Sequence, residues 1–121
     1  MFEKILRESI ATTPGAIGAI VLDQEGESIE FWAERVFDIG AEGLRAIGAY
    51  QGIYLADLKR ICDRAGAGRP LRFTTEFSNA KVLTLDLKEG YYLVLIVDPA
   101  ANEGIAWHHL RSCRQRLLAE L

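Results

Sequence analysis

The chain has 121 residues, 50% of them hydrophobic and 26% charged, with a formal net charge of -3 and a pI near 5.4, which predicts a single domain spanning 1–121. A chain of this length buries roughly two thirds of the surface it exposes when unfolded, enough for a packed core without disulfide or metal staples. With no net basic field to collect phosphates, nucleic acid is excluded as the expected partner.

Phe2, Ile5, Leu6 and Ile10 fall on one helical face, and Thr12 to Gly15 ends that helix. Ala16 to Leu22 is an apolar strand, Asp23 to Gly26 a turn, and Ser28 to Ala33 an alternating strand, which together predict a hairpin. Asp38 is an N-cap for a long helix from Ile39 to about Arg64, stopped by the stretch from Gly66 to Pro70. Leu71 to Phe77, Lys81 to Leu87 and Tyr91 to Asp98 then form three antiparallel strands joined at Ser78-Asn79 and Lys88-Glu89-Gly90. Asn102 caps a final helix whose seam is Ala106, Leu110, Cys113 and Leu117. The order α-β-β-α-β-β-β-α predicts an α+β fold with one five-stranded antiparallel sheet between one long helix and two shorter ones. The last strand is apolar at both parities, so helices are expected on both faces of the sheet.

On the long helix, Ile39, Gly43, Tyr50, Tyr54 and Ile61 lie on one side and Leu44, Leu55, Leu58 and Cys62 on the adjoining side, with Ile47 between them. This apolar arc is close to half the circumference, whereas docking on a sheet needs an arc of about 100°. The surplus predicts contact with a second molecule, most simply a two-fold homodimer. Which side meets the sheet stays open. Gly48, Gly52 and Ala56 recur every four positions and let another backbone come close. They equally suit close seating of the helix on its own sheet.

Little in the sequence carries catalytic chemistry. There is no P-loop, and Gly66-Ala67-Gly68 leads into a strand where a dinucleotide site requires a helix. His108 and His109 point about 100° apart and cannot close on one metal. His109 and Cys113 share a face at i, i+4, but Cys113 sits in the apolar seam and no orienting carboxylate joins them. Asp23, Glu25 and Glu27 lack the spacing of a calcium loop and read as turn residues. Lys59, Arg60 and Arg64, and likewise Arg111, Arg114 and Arg116, complement helix C-termini. Cys62 and Cys113 follow no metal or redox spacing, the N-terminus has no signal-peptide pattern, and the longest apolar run, Tyr91 to Val97, is far too short to span a bilayer. No cofactor, no metal, no membrane insertion and a cytoplasmic location are therefore expected.

The element order, the strand Gly18-Ala19-Ile20-Val21-Leu22-Asp23 with Gly26 three residues later, Gly90 in the last turn, and Asn102-Glu103-Gly104 opening the final helix resemble the roadblock family over essentially the whole chain. That family includes the dynein light chain roadblock proteins and bacterial regulators of Ras-like GTPases. The resemblance implies a non-enzymatic homodimeric regulatory or scaffold module that binds a Ras-like small GTPase and modulates its GTP hydrolysis. It also implies pairing of two copies through the long helix and the third strand. On this chain that surface falls on Leu44, Ile47, Gly48, Gln51, Gly52, Tyr54, Leu55 and Leu58 and on Arg72, Thr74 and Glu76 of the edge strand. Gly48→Leu or Leu55→Glu is then expected to weaken the dimer. The stretch from Glu34 to Phe37 is bulkier than the family pattern, and the long helix carries Gly and Tyr where Ala and Leu are frequent. The alternative reading from a different class is a small-molecule sensory domain with an apolar pocket between sheet and helix.

Overall fold

Alternation along the strands sorts the apolar side chains onto two faces, and each face is covered by helix. The computed structural model describes residues 2–35 and 40–121. In chain order the elements are α1 (Phe2–Ile10), β1 (Ala16–Leu22), β2 (Ser28–Ala33), α2 (Gly40–Ala65), β3 (Arg72–Phe77), β4 (Ala80–Asp86), β5 (Tyr92–Val97) and α3 (Glu103–Leu118). This is the order predicted from the sequence. The expected cap Asp38, and Ile39 with it, lies outside the described residues.

The strands form one antiparallel sheet in the order β2-β1-β5-β4-β3. The last strand in sequence is thus the middle strand in space, which explains why Tyr92 to Val97 is buried at every position. On one face Ala19, Val21, Leu83, Leu85, Leu93 and Leu95 pack against Ile5, Leu6 and Ile10 of α1 and Ala106, Leu110, Cys113 and Leu117 of α3. On the other face Ile20, Leu22, Val82, Tyr92, Val94 and Ile96 pack against Leu44 and Leu55 of α2. β3 ends the sheet on one side and β2 on the other.

Local chemistry fixes the joints. Asp23 Oδ1 accepts from the amides of Glu25 and Glu27 at 2.9 and 3.0 Å, which organises the first turn around Gly26 at φ 80°. Asn102 caps α3 by accepting from the Ile105 amide at 3.0 Å. An Arg35–Asp98 ion pair joins the segment after β2 to the end of β5.

Candidate interaction surface

α2 meets the sheet with the face that carries Leu44, Gly48, Gln51 and Leu55, all of them buried. Two glycines permit the seating. A Cβ on Gly48 would stand 2.9 Å from Ile20 Cδ1, and one on Gly52 would stand 2.6 Å from Tyr92 Cζ. The Tyr92 hydroxyl donates to the Gly48 carbonyl at 3.1 Å. Gln51 is 1% exposed, and its Oε1 accepts from the hydroxyls of Thr75 at 3.1 Å and Thr84 at 3.4 Å, which fastens α2 to β3 and β4. Near the end of the helix Lys59 Nζ lies 3.1 Å from Oδ1 of the buried Asp86.

This seating corrects part of the expected surface. Leu44, Gly48, Gln51 and Leu55 are spent on the chain's own sheet and are not available to a second molecule. Gly48→Leu and Leu55→Glu would therefore disrupt the fold before they tested any dimer. Ile47, Gly52 and Leu58 are half-buried, and Tyr54 alone of the eight helix positions is exposed. At 100° per residue one helix face carries at most a few of eight such positions outward, and without the sheet's position the two sides cannot be told apart.

What remains outside is the other apolar flank. Tyr50, Tyr54 and Ile61 are 58%, 44% and 62% exposed, with Ile53 beside them. Arg45 reaches over the Phe31 ring of β2, while Gln51 on the opposite shoulder reaches Thr75 of β3. The Tyr50-Tyr54-Ile61 flank lies beyond Gln51, and so on the β3 side of the molecule. Phe77 and Leu71, at the two ends of β3, are 49% and 61% exposed and share the strand parity that faces α2. Neither was singled out from the sequence, because how far α2 covers the apolar parity of this strand depends on how the helix seats on the sheet.

The open edge of β3 can be read atom by atom. The Asp86 amide donates to the Leu71 carbonyl, so in the Arg72↔Leu85, Phe73↔Thr84 register the backbone groups of Phe73, Thr75 and Phe77 point toward β4. The N–H and C=O groups of Arg72, Thr74 and Glu76 point away from the sheet. Their side chains stand on the α3 face, where the Arg72 guanidinium stacks over Trp107 at 4.8 Å.

Other candidate chemistry is absorbed by the fold. The His109 ring N–H donates from Nδ1 to the Ser9 carbonyl at 3.1 Å. Burial pushes the Cys113 thiol up to about 12, outweighing the Ser9 hydrogen bond and the Arg116 charge. Such a thiol is no nucleophile near neutral pH. Arg116 holds Glu8 at 2.8 Å and so ties α3 to α1 instead of only complementing a helix end. A groove of about 360 Å³ opens between the β3–β4 end and α3, where Arg72, Arg111 and Arg114 stand with Asp86, Leu71 and Leu85. The layer between α2 and the sheet is filled at Gly48 and Gly52. Among the described residues no three His, Cys, Asp or Glu side chains converge as a metal site, and no described helix is long and apolar enough to cross a membrane.

No family model matches the sequence, and no curated protein does so either. Solved structures do match. A Roadblock/LC7 domain from Streptomyces avermitilis superposes with a TM-score of 0.82 at 11% identity, covering 95% of this chain and 92% of that one. The gliding protein MglB from Thermus thermophilus gives 0.80 at 18% identity, covering 98% and 86%. Acanthamoeba castellanii profilin II also matches, at 0.65 and 13% identity, covering 99% and 98%. Together with the element order and sheet topology, these likenesses establish that the chain has the roadblock/LC7 fold.

Proposed function

We propose that the chain is a non-enzymatic regulatory or scaffold module that works as a homodimer, binds a Ras-like small GTPase and modulates its GTP hydrolysis. The observation that carries this reading is the coincidence of two unsatisfied surfaces on one side of the molecule. The apolar flank Tyr50, Tyr54 and Ile61 lies beside the open edge of β3. An apolar flank loses roughly 25 cal/mol per Å² for as long as it faces water, and an unpaired edge invites another strand. A second copy answers both at once, because one two-fold axis brings edge to edge and flank to flank. The GTPase partner rests on the resemblance to the roadblock family and on the likeness to MglB. Fold alone does not decide function, since a profilin shares much of the architecture.

Sedimentation equilibrium over a wide concentration range tests the dimer. A mass of about 27 kDa, twice the 13.5 kDa chain, is expected; 13.5 kDa at every concentration would overturn it. The partner is tested with purified small GTPases from the same genome, loaded with GDP or a non-hydrolysable GTP analogue. Saturable binding and a changed hydrolysis rate are expected from at least one of them, and no binding to any in either state would refute the GTPase reading.

A further inference from the structure

Three arginines from two elements meet at the groove between the start of β3 and α3: Arg72 from the strand, Arg111 and Arg114 from the helix. The helix dipole does not account for them all. Its field is felt within the last turn, and Arg111 stands about two turns before the end of α3 at Leu118. Nor do acids of the chain account for them. Among the described residues none of the three pairs with a carboxylate. Asp86, the acid among the described lining residues, is 5% exposed, and its carboxylate faces Lys59 at 3.1 Å and Arg69 at 3.7 Å instead.

Two of the guanidiniums are held in place before any ligand arrives. Arg72 stacks over Trp107 at 4.8 Å. Arg114 donates from Nε to the Asp86 carbonyl at 3.1 Å, which turns its terminal nitrogens to other acceptors. Trp107, Arg111 and Arg114 follow one another at i, i+4 and i+7, so the three guanidiniums form a row along one stripe of α3. From Trp107 to Arg114 the helix advances about 10 Å. Beside the row the groove is apolar, with the buried Leu85 and the exposed Leu71. Ordered cations over an apolar floor lower the entropy lost when an anion binds.

The length of the row and the charges around it decide the occupant. A single phosphate or carboxylate is too short to meet three guanidiniums spread over about 10 Å. A membrane or a nucleic-acid backbone is too broad. The strand registers set Leu22, Tyr92, Asp86 and Arg72 at one end of the sheet, so an extended anionic surface laid there would also meet Asp23, Glu25 and Glu89, which share a recess at that end. An extended peptide is narrow enough to avoid them. Its alternate side chains point the same way about 7 Å apart, close to the 5–6 Å or so between neighbours on a helix stripe.

We propose that this groove docks an extended acidic segment of a partner protein, with acids at alternate positions against Arg72, Arg111 and Arg114 and an apolar side chain against Leu71 and Leu85. Bidentate pairing suits the guanidinium fork to carboxylates. The groove lies on the α3 face, across the sheet from the Tyr50-Tyr54-Ile61 flank of α2, so the proposal does not rest on the homodimer.

Fluorescence anisotropy of a labelled decapeptide, with glutamate at alternate positions and serine or leucine between them, tests this on the full chain. Saturable binding below roughly 1 mM is expected, and none when glutamine replaces the glutamates. Arg111→Glu should weaken binding roughly tenfold or more, and Arg111→Gln less, since it removes the charge without reversing it. Arg64→Glu makes the same charge change near the end of α2 and should alter binding by no more than about twofold, because salt screens charges outside the groove. Circular dichroism and sedimentation check that each variant keeps its fold and oligomeric state. No saturation by about 1 mM, or equal losses in Arg111→Glu and Arg64→Glu, would overturn the site. Vesicles containing phosphatidylserine that bind in an Arg111-dependent way, where the peptide does not, would replace the acidic segment with a membrane surface.

Discussion

At the residue scale the most informative positions are two glycines inside a helix. Each costs roughly 1 kcal/mol of helix propensity relative to alanine, and here each is needed because a Cβ would strike the sheet beneath. Gly52→Ala is expected to destabilise the fold by about 1–3 kcal/mol despite the better helix former, since the new methyl displaces the Tyr92 ring and strains its bond to Gly48. Urea unfolding of Gly52→Ala, Tyr92→Phe and the double variant checks this. The double variant should lose less than the two single losses combined, because removing the hydroxyl relieves part of the clash. Gln51 belongs with these glycines. A buried amide in an apolar seat is tolerable only because Thr75 and Thr84 both donate to it.

At the element scale α2 divides into an inward and an outward strip that are both apolar, and the division separates two kinds of mutation. Leu55→Glu would bury an unpaired charge on the sheet, where Leu55 is 3% exposed, and should unfold the chain or cost about 3 kcal/mol or more. Tyr54→Glu, at 44% exposure, should leave the unfolding free energy within about 0.5 kcal/mol of native when both are measured as monomers, and should weaken self-association. Sedimentation equilibrium beside chemical denaturation separates the two effects. An unchanged dimer in Tyr54→Glu would remove this flank from the interface. The outward apolar surface is legible in the sequence as the surplus apolar arc on α2. The choice of side is not, because Leu44-Leu55-Leu58 and Tyr50-Tyr54-Ile61 are equally good apolar strips.

At the scale of the whole molecule, two buried acids make stability depend on alkaline pH. Burial lifts Cys113 from 9.0 to about 12, and burial with the Asp23 charge lifts Tyr92 from 10.0 to about 12. The folded state thus holds both protons more tightly than the unfolded chain does. Their contribution is complete below the unfolded values and is lost as pH rises from about 9 through 12. The unfolding free energy from urea titration should therefore fall across that window, by a few kcal/mol, and Cys113→Ala should flatten the lower part of the fall. A midpoint that stays level from about pH 8 to 11 would mean that neither group is sealed from solvent. The same burial leaves the Cys113 thiol without nucleophilic character near neutral pH.

The sequence by itself determined the elements, their order and the double-sided burial of the last strand, because these follow from spacing, caps and turns within short windows. The Asn102 cap, the Asp23–Gly26 turn and the seam Ala106-Leu110-Cys113-Leu117 all stand where local chemistry put them. Only the tertiary structure decided which face of α2 meets the sheet, that Gly48 and Gly52 serve the chain's own packing, and that Arg72, Thr74 and Glu76 turn their backbone outward. Those facts depend on strand pairing and helix seating between residues far apart in sequence. Periodicity gives the angle between side chains on one element, and it says nothing about which neighbour that angle is measured against.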